Sequence, residues 1–224
     1  MKKYLIISLV FILFGHLAYS QSDTAFFKKH ELGFYENQII KSLFPDRELR
    51  ERPDAFSLDF SGKTFPTDIS KYTVLWHSLP KSQGNTGTCW CYAATSFFES
   101  EVNRRFNIVA DISEMFTVYW EYVDRAKDFA KTKGETYFAQ GSEANAIKRV
   151  WTSYGIVPEE AYSGLPKNQK FHSHAAMEKE MKEYLEKMRE TENWDIDKTE
   201  KDIRTILNSY MGTPPETFKY KGKE

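Results

Sequence analysis

Between Cys89 and Tyr210 the chain carries five stretches in which apolar side chains return every three or four residues, the spacing that places them on one face of an α-helix. The first, residues 89–106, has Trp90, Ala93, Ala94, Phe97 and Phe98 on nearly all sides, which predicts a central buried helix. In the second, Met115, Tyr119, Tyr122, Val123 and Ala126 follow Ser113 or Asp111 as the capping residue. A third runs through Ala144, Ile147, Val150, Trp151 and Tyr154 and stops at Gly155. Met177, Met181, Tyr184, Leu185 and Met188 form a fourth stripe within a Glu/Lys-rich face, and Ile203, Ile206, Leu207 and Tyr210 form a fifth before Gly212 and Pro214. Such a chain must fold as a mostly helical domain, and an aromatic content of 16% supplies a dense core.

The preceding part reads differently. From Ser22 to Leu79, Pro45, Pro53 and Pro66 interrupt any long helix, although residues 25–41 suit a short one. Residues 72–79, Tyr-Thr-Val-Leu-Trp-His-Ser-Leu, are β-branched and aromatic with partial alternation and predict a strand. The fold class is therefore α+β, with a leader or wrapping segment over 21–71 and a helical body over 72–224.

Where strand and first helix meet, residues 83–90 read Gln-Gly-Asn-Thr-Gly-Thr-Cys-Trp. A cysteine attacks an amide carbonyl as thiolate, and a helix N-terminus favours that form. The carbonyl oxygen then gains charge that preset donors must meet; the Cys89 N–H and the Gln83 side-chain amide are suited to this. Gly84 and Gly87 let the loop fold back between them. Cys89 is thus a candidate nucleophile and Gln83 a candidate oxyanion donor. Cys91, rotated about 200° away on a helix, joins Ala94, Phe98, Val102 and Phe106 and is expected in the core. The two cysteines point apart, so neither a disulfide nor a metal site is expected from them. A redox role would call for Cys-x-x-Cys in a βαβ setting, which a helical chain does not supply.

The 83–90 segment resembles the active-site signature of papain-like cysteine peptidases, most closely the bleomycin hydrolase and aminopeptidase C branch; Thr86 stands where secreted papains carry a disulfide cysteine. Four further stretches are similar in order: Asp111-Ile-Ser-Glu-Met115, Gly141-Ser142, Gly155-Ile-Val-Pro-Glu159 with Tyr162, and Gly212-Thr-Pro-Pro-Glu-Thr-Phe218. The resemblance implies the helical half of such a peptidase, amide hydrolysis through a thioester acyl-enzyme without cofactor or metal, a peptide or protein substrate, and backbone recognition by Gly141 and Ser142. Members of the branch often act as aminopeptidases.

It also implies a histidine base and an orienting asparagine on a β-rich domain, roughly 130 to 150 residues beyond the cysteine in papain-type chains. That count from Cys89 reaches the last residues here, where no histidine stands. The expectation is that the β-rich half is largely missing, that turnover without a base falls by orders of magnitude, and that surface normally covered by it is exposed. His77 lies on the expected strand and reads as a packed side chain. Ser173-His174-Ala175 and Asn208-Ser209-Tyr210 echo the family's His and Asn strings, but His174 leads into a helix as a cap residue and Asn208 falls inside one. The alternative from another class is a catalytically silent papain-like module that binds peptides or a partner.

Lys2 and Lys3 precede an apolar run over 5–17 that ends in Ala18-Tyr19-Ser20, the pattern of a signal peptide over 1–20 and of a secreted or periplasmic protein. The run is short for a membrane span, so no stable membrane association is expected. With 31 Lys+Arg against 32 Asp+Glu, interspersed, and no basic stripe, nucleic acid is not an expected partner.

Overall fold

The computed structural model describes residues 24–220; the expected signal peptide over 1–20 lies outside them. The fold is α+β and mostly helical. Strand β1 (Ala25–Lys28) pairs antiparallel with β2 (Ala55–Leu58), Ala25 opposite Leu58 and Lys28 opposite Ala55. Five long helices follow: α1 (Cys89–Phe106), α2 (Glu114–Lys131), α3 (Ala144–Tyr154), α4 (Ala175–Thr191) and α5 (Ile196–Met211). None of the described helices is long and apolar enough to cross a membrane.

The described residues form two compact units, one of 24–31 with 49–72, the other of 32–48 with 73–220. In the first, the strand pair is pinned by Asp59 N donating to Thr24 O at 2.7 Å and by an edge-to-face contact of Phe27 with Phe56, centroids 5.9 Å apart. A short 3₁₀ turn, Ile69–Lys71, is capped by the Asp68 carboxylate accepting from Ser70 N at 3.0 Å.

The helix expected over 25–41 is corrected: Ala25–Lys28 is strand, and helical structure begins only at Tyr35–Ile40, a π-helical turn continued by Lys41–Leu43. Gly33 breaks the stretch, its N–H donating to the Glu36 carboxylate at 3.1 Å and so starting the turn there. The strand expected over 72–79 is also corrected. Those residues include no strand, and Val74, Leu75 and Leu79 are exposed. Alternation makes a strand only where a neighbouring edge takes its backbone bonds, and the two strands among the described residues pair with each other.

The second unit is built around α2, whose Met115, Val118, Tyr119, Tyr122, Val123 and Ala126 are all at most 1% exposed. It packs against α5, α3 and α1, and α4 packs on α5. The expectation that α1 is the central helix therefore does not hold: it buries Cys91, Ala94, Thr95 and Glu99, while Ala93 and Phe97 face outward. Ser113, rather than Asp111, caps α2, its Oγ accepting from Phe116 N at 3.0 Å and donating to Tyr162 O at 2.5 Å. The methionine stripe of α4 is core, with Met177, Met181, Leu185 and Met188 buried, each such side chain contributing about 1.5–3 kcal/mol of burial.

Candidate active site

The chain enters the site along residues 78–81, which are tied to the helical body by carboxylates. Ser78 Oγ donates to Glu99 at 3.0 Å, and Glu99 also accepts from Ile112 N at 2.8 Å. Lys81 Nζ lies 2.6 Å from Asp111 and 3.1 Å from Glu114. Burial works to lower the Lys81 ammonium, but the Asp111 and Glu114 carboxylates outweigh it and hold the pKa raised. Glu159, half-buried nearby, is pushed up to about 7 by burial, against the pull of Lys81.

The loop that follows is closed on itself and on two other segments. Gln83 Nε2 donates to Thr86 O at 2.6 Å, while Thr86 Oγ1 donates to Gln83 O at 2.9 Å. An amide NH₂ carries two hydrogens, so this bond leaves one on Gln83 for another acceptor. Gly84 has φ +67°, and a Cβ there would stand 2.3 Å from His172 O, so both conformation and space demand glycine. Asn85 N donates to His172 O at 2.8 Å and His174 N to Asn85 O at 3.3 Å, a parallel bridge that backs the loop with residues 171–174. Tyr35 from the leading helical turn donates its hydroxyl to Asn85 Oδ1 at 2.7 Å.

Cys89 is exposed and is the first residue of α1. The residue before it, Thr88, is buried with its hydroxyl turned to Thr86 at 2.6 Å, and provides no side-chain cap. The first-turn N–H groups at Cys89 and Trp90 are therefore not taken by a capping side chain, the arrangement that an anionic group seeks at a helix start. Cys91 is fully buried, its Sγ donating to Glu114 O at 3.4 Å, and burial pushes its thiol well up. Both cysteines are free.

Gly141 and Ser142 are brought beside this loop through the residue preceding them. Gln140 Oε1 accepts from Gly87 N at 2.7 Å and Gln140 O accepts from Trp90 Nε1 at 3.1 Å. Gly141 is exposed, with open space where a Cβ would be. The Ser142 hydroxyl is turned inward, donating to Glu121 Oε1 at 2.7 Å; Glu121 is buried and also held by Arg125 and Arg149. What this turn offers outward is backbone.

The imidazoles of His77 and His174 are hydrogen-bonded to groups other than the thiol. His77 Nδ1 pairs with the neighbouring Ser78 O at 2.9 Å. His174 is the N-cap residue of α4, its Nδ1 bonded to the Tyr122 hydroxyl at 3.2 Å and its Nε2 buried without a partner. Burial lowers His174 to about 3 and His172 to about 4, which keeps both neutral and makes them poor bases at neutral pH. Asn208 Oδ1 accepts from the Tyr119 hydroxyl at 2.8 Å, so His174 and Asn208 are each engaged with α2 and not with one another. Among the described residues no imidazole is hydrogen-bonded to Cys89.

Two features of the site are not legible in the sequence: the contacts of Gln140, and the backing of the loop by residues 171–174, where Ser173-His174-Ala175 stands out only as an echo of a catalytic histidine string. A glycine at 87, two residues before the thiol, hints at a close neighbour without saying which. No protein-family model matches the chain, and no curated protein matches it as a relative.

Proposed function

We propose that this chain carries the nucleophile and oxyanion donors of a cysteine peptidase, exported after removal of residues 1–20, that hydrolyses peptide amides through a thioester. The observation that carries the reading is the contrast on one helical turn between exposed Cys89 at the helix start and sealed Cys91. The resemblance of residues 83–90 to papain-like peptidases supports it.

In this reading Cys89 Sγ, as thiolate, bonds to the substrate carbonyl carbon, and the C=O electron pair moves to oxygen. That oxygen is met by the Cys89 N–H and the remaining Gln83 amide hydrogen. Collapse breaks the C–N bond and leaves a thioester on Cys89, which water hydrolyses to return the thiol. The extended substrate backbone lies along Gly141 and Ser142. The proton for the leaving amine has to come from a group other than the imidazoles of His77 and His174, which are hydrogen-bonded elsewhere.

An activated ester tests this, because its leaving group needs no proton. On p-nitrophenyl acetate the purified chain is expected to gain one acetyl group at Cys89, read by intact mass, and to lose that reactivity in Cys89→Ser. Gln83→Ala is expected to slow acylation on the order of 10²-fold. Peptide binding without any adduct would favour the silent module instead.

A further inference from the structure

We infer that Gln140 is the positioning residue of the Cys89 loop, gripping it on both sides of the nucleophile and fixing it to α4 through Glu178. Its catalytic meaning rests on the peptidase reading, while its geometry stands alone. The side-chain amide and the carbonyl of Gln140 are all engaged by this arrangement: Oε1 accepts from Gly87 N at 2.7 Å, the carbonyl accepts from Trp90 Nε1 at 3.1 Å, and Nε2 donates to Glu178 Oε2 at 2.5 Å. Gly87 lies two residues before Cys89 and Trp90 one after it, so the segment bearing the sulfur is held at both ends by one residue.

The chemistry of the side chain is dictated by its neighbours. Gly87 N–H can only donate, which requires an acceptor, and the Glu178 carboxylate accepts, which requires a donor. A primary amide satisfies both; a carboxylate at 140 would face Glu178 with like charge, and an aliphatic side chain would leave Gly87 N–H unpaired. The fit is also steric. A Cβ on Gly87 would fall 2.9 Å from Gln140 Cβ, so the loop approaches this residue as closely as glycine permits.

Two consequences follow for the proposed reaction. Gln140 directly precedes Gly141, so the same residue that orients the thiol sets the distance from it to the substrate-backbone turn. Glu178, further held by Lys182 at 2.7 Å, anchors that unit to α4 at the edge of a hollow of about 770 Å³ lined by α4 and residues 134–138. Misplacing a nucleophile by about 1 Å can cost about 10²-fold in rate, and a smaller shift proportionately less.

The test compares wild type with Gln140→Leu, Gln140→Glu, Glu178→Gln and the double variant Q140E/E178Q. Cys89 is inactivated with a peptidyl chloromethyl ketone at rising concentration, which separates the binding constant from the limiting rate, and thermal unfolding is followed in parallel. Gln140→Leu and Gln140→Glu are expected to lower the limiting rate about tenfold with the binding constant within about twofold. Glu178→Gln keeps an acceptor for Gln140 but gives up the charge and the Lys182 pair, and is expected to lower the limiting rate by less than either Gln140 variant. The double variant reverses the polarity of the bond, the amide introduced at position 178 donating to the carboxylate introduced at position 140, and is expected to regain most of the loss. Limiting rates unchanged in both single Gln140 variants, or a double variant no better than Gln140→Glu while equally folded, would overturn the inference. The peptidase reading fails separately, when wild-type Cys89 takes no acetyl group from the activated ester.

Discussion

Cys89 and Cys91, two residues apart on the first turn of α1, occupy opposite surroundings: the first is exposed at the helix start, the second is 0% exposed with its thiol against Glu114 O. A helix turns about 200° over two residues, so the same turn that presents one sulfur to solvent must bury the other.

In the native protein, iodoacetamide at pH 7.5 is therefore expected to modify one thiol, and peptide mapping to place it at Cys89. Burial both shields Cys91 and disfavours its thiolate, so it reacts only after denaturant is added. Cys89→Ser should abolish native labelling and leave the denatured count at one. Two fast thiols in the folded state would contradict the burial of Cys91.

Gly84→Ala and Gly141→Ala should part company. At Gly84 a methyl group meets the backbone of His172 at 2.3 Å in a left-handed conformation, and backbone on both sides leaves little room to yield. We expect a loss of about 2–4 kcal/mol, or roughly 8 °C in melting temperature for a chain of this size. At Gly141 nothing lies within 4 Å of the added carbon, and stability should stay within about 0.5 kcal/mol of wild type. Thermal denaturation followed by circular dichroism distinguishes the two.

The helices are legible in the sequence because each is amphipathic on its own: the Met177, Met181, Leu185, Met188 stripe needs no knowledge of what it packs on to be read as a buried face. The centre of the fold is not. Trp90, Phe97 and Phe98 make α1 look buried all round, but which apolar face is covered depends on the neighbours, and those put α2 in the middle. Strands elude the sequence for a related reason. Residues 72–79 have strand-forming side chains and no edge to join, whereas Ala25–Lys28 acquires strand structure from Ala55–Leu58, a partner far along the chain. At the candidate site, the placement of Cys89 at a helix start is readable from spacing within one loop. Gln140 is not, because its role is a contact across more than fifty residues that no local pattern encodes.

Glu159 gives a pH signature. Its carboxyl is raised to about 7, above the ordinary glutamate range, so between about 4.5 and 7 the folded chain binds a proton that the unfolded chain has lost. Stability from this group is present at low pH and lost as pH rises through 7. With the side chain part-exposed and screened, the effect is about 1 kcal/mol, or 2–4 °C. Glu159→Gln should thus match wild type at pH 4.5 and melt above it at pH 8. Equal melting at pH 8, or a lower value, would show that the ionised carboxylate is not a cost there.

His172 and His174 work in the opposite direction, and on the loop itself. Both imidazoles are buried, and burial lowers them to about 4 and 3, below the ordinary histidine value near 6.5. Between about 6.5 and 4 the unfolded chain takes up protons that the folded chain refuses, so the stability they confer is full above pH 6.5 and drains away as pH falls. Each adds at most about 1.4 kcal/mol per pH unit to that slope, while the unfolded imidazole is protonated and the folded one is not. Because His172 O and His174 N hold Asn85, acid should free the 83–88 loop before or together with global unfolding. His174→Gln removes one titrating group and is expected to reduce the loss of melting temperature between pH 6.5 and 4.5 by about half. The change in Cys89 labelling over the same range, measured with a reagent whose rate is corrected for thiolate concentration, should shrink in parallel. A variant whose acid profile overlays wild type would show that these imidazoles do not drive the transition.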